Sequence, residues 1–594
     1  MWGSFFNFSA RYSVQCQCLI ILFFCLKTVG YSAVVVADTK HFDLILAGGS
    51  LSTCSSMSIK NCRNNDFDEH ELTQLKYAFG EKSAAKFLQM AEFWPQNNAL
   101  FSQLHAVLVQ AYANESQHQK SRNEFLDGLV AHGFSERDIR ALPDSVYFAL
   151  LDTHEVRQLD PNGNRKQERA VIEWNKSLAS RAVYQTFVDQ SSLRAVTADR
   201  PRIAVVTASS RDAFESADFY ISAFESMGAD VVWLPLDASF QYARWLTQWG
   251  TDGCTQLTQI SAQFFQFDRE RVYPKRSQLR QQYCQQPELL NDLLNQVHGV
   301  FFNGGDQSRT LAALLTPDGQ VSEQLAIIQR RVAAGELVVG GTSAGTAVQA
   351  GGFYNQRPIP MITNGHSRNA LTRGAIPVGA PSSRCSGDCQ DGLLSDELTY
   401  RPQGGSGLFN LGLLDTHFSE RDREARLIAF GDAAQQRFAF GVDETTALLV
   451  DYHADGISLG VVGEAGVFVV DRSNGLNNLQ LDQAASVKAK QLSGTAHFLL
   501  PEMQLEFTRE TQNWRVTSTL AKTTKRKKLS ALDDGEWRNQ MRQWCGSQKQ
   551  LNWSMEGYSV LVKADEQTQF FVGSEVNSRH CGYVGLPFVL HHSE

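Results

Sequence analysis

Concentrated positive charge is missing from this 594-residue chain, whose formal net charge is −8. Its one dense basic run, Lys525-Arg526-Lys527-Lys528, reads as a solvated loop, so a nucleic-acid partner has no electrostatic footprint here. No histidine cluster stands near the cysteines at zinc spacing, and neither a metal nor a cofactor is expected. Internal repeats and low-complexity segments are also lacking. The most apolar stretch, Cys18 to Leu26, is cut off by Lys27 and is too short to span a bilayer. Finally, acids are missing from one long interval: no Asp or Glu occurs between Glu336 and Asp388.

What is present begins with an export signal. Arg11 precedes the apolar run, and Val35-Val36-Ala37 offers small residues for cleavage before Asp38. Two phenylalanines occupy the positions where a lipobox before Cys25 would need small residues. Residues 1–37 are therefore expected to be removed, leaving a secreted or periplasmic protein with no membrane contact. Three of the eleven cysteines go with that segment. The remaining eight, an even number, suit up to four disulfides in an oxidising compartment. Neighbour pairing (Cys54 with Cys62, Cys254 with Cys284, Cys385 with Cys389, Cys545 with Cys581) is the simplest arrangement, although spacing does not fix connectivity.

Hydrophobic residues at 43% and charged ones at 20% describe a globular chain long enough for two or three domains. The first strand of a hydrolase domain is expected within 38–65, around Asp43 to Gly49. Residues 66–200 change to Gln, Asn, Glu and Ala with apolar residues at helical spacing, as at Leu72, Leu75 and Phe79, and read as a helical insertion. Over 201–471 strands and helices alternate. Ile203–Val206, Val231–Leu234, Gly299–Phe302 and Leu337–Val339 are strands, and Phe214, Ala217, Ile221 and Phe224 share a helical face. Such βα units predict an α/β fold, a mainly parallel sheet with helices on both faces. Residues 472–594 turn to short alternating segments and predict a small β-rich region.

The chemistry concentrates at Gly341-Thr342-Ser343-Ala344-Gly345. A G-x-S-x-G run between a strand and a helix start lifts a serine hydroxyl out of a sheet, because flanking side chains would collide at so sharp a turn. The Ala344 N–H then lies where an oxyanion develops. A serine needs a base, and His417 follows the strand-like Leu413-Leu414-Asp415-Thr416. Arg421, Arg423 and Arg426 come next. On a helix Arg423 and Arg426 share a face, while Arg421 points into the preceding loop. Arginines beside a serine–histidine pair suit bidentate recognition of carboxylates. Taken separately, they also fit a charged helix face neutralised by Glu420, Asp422 and Glu424, and His417 fits a structural histidine.

Together, Gly304-Gly305-Asp306-Gln307, the serine run, Asp415-Thr416-His417-Phe418 with its arginines, and Gly441-Val442-Asp443-Glu444-Thr445-Thr446 resemble the cyanophycinase family of serine peptidases. The resemblance covers roughly Arg202 to Asp471 and the strand near Asp43, and the export signal resembles the extracellular bacterial branch. It implies a class I glutamine-amidotransferase-like fold. Ser343 would be the nucleophile and His417 its base, with the N–H groups of Gly305 and Ala344 as oxyanion hole. Gln307, Asp415, Thr416, Arg421, Arg423 and Arg426 would line the substrate site. The implied substrate is an aspartyl-arginine polymer or peptide, cut to β-aspartyl-arginine dipeptides. A homodimer is the remaining partner expectation. Alternatives are an aspartyl or isoaspartyl dipeptidase of the same family and a non-catalytic binding relative. Two departures stand out. Thr416 replaces a glutamine whose amide contacts substrate. The triad glutamate that the family carries soon after the serine is absent, leaving Asp388, Asp391, Asp396, Glu397, Asp443 and Glu444 as candidates.

Overall fold

Alternate side chains of the strand Leu44–Ala47 enter two different cores, Leu44 and Leu46 on one side, Ile45 and Ala47 on the other. A strand apolar on both faces belongs inside a sheet covered twice, and this one lies in the middle of nine strands. The computed structural model describes residues 40–64, 67–90, 99–115, 118–473, 490–518, 520, 534–555, 557–572 and 580–592. The expected signal segment and the basic run at Lys525–Lys528 fall outside these residues.

Parallel pairing joins Leu44–Ala47 to Val338–Thr342, and that strand in turn to Gly299–Phe302, Arg202–Val206 and Asp230–Leu234. On its other side the sheet continues antiparallel through Thr446–His453, Gly456–Gly463, Met503–Thr508 and Asn513–Ser518. The sheet is thus mixed, where a mainly parallel one was expected. The reason is local: only Ala454 and Asp455 separate two of the added strands, and so short a link closes a hairpin but cannot cross over.

A second sheet runs in the order Leu413–Thr416, Phe438–Val442, Val467–Asp471, Lys490–Leu499, Cys581–His592, Tyr558–Lys563, Gln550–Met555. Its first pair is parallel and the rest antiparallel. The chain after residue 472 therefore extends both sheets.

Helices cover the first sheet on both faces. Leu178–Arg194 and Ala213–Glu225 bring Tyr184, Phe187, Phe214 and Phe224 to one core. Ala238–Gln248, Pro287–Gln296 and Glu323–Ala333 bring Phe240, Leu290, Leu294 and Ile328 to the other. Each such burial contributes about 1.5–3 kcal/mol. The helix Leu178–Arg194 comes close because Gly340 has no side chain: a Cβ there would stand 2.7 Å from the Phe187 ring. Helices between Glu81 and His154 build a smaller core around Phe79, Phe87, Phe125 and Phe134. Capping boxes at Ser121 and Ser135 start two of them.

From His41 onward the described residues form one unit. Four disulfides join Cys54 to Cys62, Cys254 to Cys284, Cys385 to Cys389 and Cys545 to Cys581, the neighbour pairs that the spacing suggested. No helix among the described residues is long and apolar enough to cross a membrane.

Candidate active site

Five strands end at one place. Ser343 follows Val338–Thr342, Gly48-Gly49 follows Leu44–Ala47, and Gly304-Gly305 follows Gly299–Phe302. From the second sheet come His417, after Leu413–Thr416, and Glu444, two residues beyond Phe438–Val442. Carboxyl ends of parallel strands leave such a crevice because their connections turn away from one another.

Ser343 has φ 55° and ψ −118°, a strained positive-φ conformation. The two flanking glycines permit it: a Cβ on Gly341 would run into the Gly345 carbonyl, and one on Gly345 into the Phe302 carbonyl. The turn is held by the Ser343 N–H, which donates to the Ala47 carbonyl at 3.0 Å. His417 also has positive φ, 49°, and its N–H donates to the Gly48 carbonyl at 2.9 Å. Gly49, at φ 126°, lies so close that a Cβ would enter the His417 ring.

The result is a hydrogen-bonded line. Ser343 Oγ lies 2.7 Å from His417 Nε2, and His417 Nδ1 lies 2.6 Å from Glu444 Oε1. Glu444 is one of the six candidate acids, and the other five make no such contact. Burial would raise the Glu444 carboxyl, but hydrogen bonds from Ser50 and His417 outweigh it and hold it below the ordinary range. Burial also lowers His417, seconded by the Arg421 charge and opposed by its bond to Glu444. A neutral imidazole between a hydroxyl and a carboxylate is placed to accept the serine proton.

Gly304 flanks the serine, since a Cβ there would meet Ser343 Cβ at 3.4 Å. The next residue, Gly305, has φ 145°. Among the described residues neither the Gly305 N–H nor the Ala344 N–H donates to a protein acceptor.

The expected substrate residues divide. Arg421 is exposed and its guanidinium makes no ion pair or hydrogen bond with any described residue. Arg423 caps the helix Glu424–Ala433 rather than sharing its face with Arg426. Its Nη1 donates to the Thr416 carbonyl at 2.5 Å, and its Nε is buried with no partner among the described residues. Burial and then the Arg426 charge push Arg423 down to about 9. Arg426 and Asp415 are 2% and 3% exposed and closed on each other, with Arg426 Nη2 at 2.5 and 2.7 Å from the two carboxylate oxygens. Arg426 Nε also donates to Asp415 Oδ2 at 3.0 Å, and Nη1 donates to the Gly365 carbonyl. Burial would raise Asp415, but Arg426 and Arg423 hold it below its ordinary range. Arg426, Asp415 and the buried Thr416 therefore shape the floor of the site and do not face the cleft. The Gln307 amide nitrogen donates to the Ile362 and Thr363 carbonyls at 2.9 and 3.0 Å.

Gly49 and Ser50 were missed in the sequence, where the glycine pair at 48–49 signals only a turn. A carboxylate group elsewhere, Asp152, Glu155 and Asp212, would invite a metal ion. Arg269 occupies it, with Nη1 2.7 Å from both Glu155 and Asp212.

No protein-family model matches the chain. It is similar to cyanophycinases. The cyanophycinase of Trichormus variabilis is 32% identical over 173 residues, 29% of this chain and 45% of that protein. That of Synechococcus elongatus is 31% identical over 188 residues, 32% of this chain and 46% of its own. That of Geminocystis herdmanii is 30% identical over 172 residues, 29% and 48%. The chain thus matches about half the length of these curated relatives. A solved peptidase structure from an acI-B1 Actinobacterium aligns with 52% of this chain and 91% of its own, at 16% identity. Its TM-score of 0.28 is too low to bear on fold or chemistry.

Proposed function

We propose that this chain is a secreted or periplasmic serine peptidase of the cyanophycinase kind, with a class I glutamine-amidotransferase-like arrangement around its nucleophile. The observation that carries the reading is the line Ser343–His417–Glu444, at 2.7 and 2.6 Å. Ser343 Oγ attacks the scissile carbonyl while its proton passes to His417 Nε2, and Glu444 stabilises the imidazolium that forms. The N–H groups of Gly305 and Ala344 receive the oxyanion. His417 returns the proton to the leaving amine, and water then releases the acyl group by the same steps in reverse. Arg421, open to solvent beside the triad, suits a substrate carboxylate. The substrate that fits is a β-linked aspartyl-arginine polymer, released as β-aspartyl-arginine dipeptides.

The test is incubation of purified protein with insoluble cyanophycin, following clearing and dipeptide release. Release of dipeptides that stops in Ser343→Ala supports the proposal. Turnover of free aspartyl dipeptides without clearing would make the chain a dipeptidase, and neither activity would leave a binding relative.

A further inference from the structure

The turn that carries His417 and the turn that carries Glu444 are clasped crosswise. Glu420, from the histidine side, accepts the Glu444 N–H on Oε2 at 3.0 Å. Asp443, from the acid side, accepts the Ser419 N–H on Oδ1 at 2.9 Å. Each turn thus lends a carboxylate to the backbone of the other. Two carboxylates drawn together in this way repel, and Asp443 is fully buried, at 0% exposure. Burial, then the Asp443 charge, push Glu420 up to about 7.

One residue resolves the repulsion. Arg538 Nη1 donates to Glu420 Oε1 at 2.5 Å and to Asp443 Oδ2 at 2.9 Å, so a single nitrogen holds both acids. Arg538 belongs to the helix Glu536–Trp544, far along the chain and within the β-rich region after 472. The start of that helix is seated on the same turn. The Glu536 N–H donates to Asp422 Oδ1 at 2.7 Å, and Gly535, at φ 78°, packs so that a Cβ would stand 2.8 Å from the Ser419 carbonyl. Nη2 is held by Asp534 at 3.0 Å. The side chain of Arg538 is 5% exposed, so its charge acts with little screening by water.

We propose that Arg538 is a positioning residue of the active site: by joining Glu420 to Asp443 it locks the His417 turn against the Glu444 turn, so that Ser343 is activated only when the C-terminal region is docked. This rests on the serine–histidine–glutamate reading of the site. It assigns the region after 472 a part in the chemistry, although none of its described residues hydrogen-bonds to Ser343 or His417. Removing the guanidinium leaves two facing buried carboxylates, which part or take up a proton. Either response shifts Glu444 relative to His417 Nδ1. Outer-shell partners of a metal-bound histidine typically cost about 10- to 100-fold when removed, and a similar loss is expected here.

The probe is a fluorophosphonate, which phosphonylates an activated serine whatever the natural substrate. Its maximal rate (kinact) and half-saturating concentration (KI) are measured on the full mature chain, alongside thermal melting. In Arg538→Met, kinact should fall about 10- to 100-fold with KI nearly unchanged, and Arg538→Lys should recover part of the rate because it restores the charge. A folded Arg538→Met with the parent's kinact overturns the proposal. If Arg538→Met does not fold, Glu420→Gln carries the test: a fall in kinact at unchanged KI supports the clasp, and an unchanged kinact overturns it. A parent protein as unreactive as Ser343→Ala would instead sink the serine reading, and the proposal with it.

Discussion

In the proposed peptidase each residue of the Ser343–His417–Glu444 line has a distinct duty, and the duties predict unequal losses. Ser343→Ala removes the atom that bonds to substrate, so turnover should fall by about 10⁶ with the fold intact. Glu444→Gln keeps the shape but favours the wrong imidazole tautomer, and a loss of about 10⁴ is expected in the same assay. The pH profile adds a separate check. In the proposed mechanism the base is neutral His417, which burial and Arg421 hold below the ordinary histidine value while Glu444 opposes them. A lowered pKa keeps the base form to lower pH, so the acid limb of kcat/KM should lie below pH 6.5, the ordinary value. Ser343, Glu444, Arg421 and Arg423 are the groups that face the ring. Arg421→Ala deletes a charge that disfavours imidazolium and should move the limb upward, whereas a downward move would refute the assignment. Arg426 behaves differently from Arg421. It is closed on buried Asp415, so Arg426→Ala leaves an uncompensated charge and should cost about 3–5 kcal/mol in stability. Denaturant unfolding of the two variants should show Arg426→Ala destabilised and Arg421→Ala unchanged.

At the scale of elements, strand ends and the glycines after them set the geometry. Gly49 connects the sheets, for its neighbour Gly48 receives the His417 N–H while the Gly49 carbonyl receives that of Thr445 at 2.9 Å. Gly49→Ala would place a methyl group in the histidine ring at a backbone angle, φ 126°, that side chains rarely adopt. Displacing the ring by about 1 Å should lower turnover about 100-fold. Single-turnover acylation would detect it, and parent-like acylation would show that the ring has another resting place. Strands in this region were legible because apolar runs of four or five residues are bounded by glycine. Gly299–Phe302 is one strand found where the run predicts it, and Asp230–Leu234 is another. The helix spacing through Phe214, Ala217 and Phe224 likewise marks Ala213–Glu225. Arg423 and Arg426 illustrate the limit of such reading: equal spacing does not tell whether the first lies on the helix or caps it. The second sheet was not legible as a whole: Gln550–Met555 pairs with its neighbour Tyr558–Lys563, but Lys490–Leu499 pairs with Cys581–His592 far along the chain, and short alternating runs do not name distant partners.

At the scale of the whole molecule, four disulfides close loops within the described unit, and two of them span 30 and 36 residues. Loops of that size contribute about 3–5 kcal/mol each in the chain-entropy model, so reductant should lower the melting temperature markedly. The eight cysteines beyond residue 37 should yield no free thiol when the protein is denatured without reductant; eight thiols would argue against an oxidising compartment. Local chemistry in the sequence determined a great deal: the strained serine turn, the strand-borne histidine and the parallel strands beneath the nucleophile. These are readable because sterics and apolar periodicity act between near neighbours. Only the tertiary structure decided which of six acids lies against His417, that Arg426 is closed while Arg421 is open, and that Arg538 reaches the acid turn. Those choices depend on two sheets meeting at their strand ends. A carboxylate's partner is set by a distance of a few ångströms in space, and separation along the chain carries no trace of it.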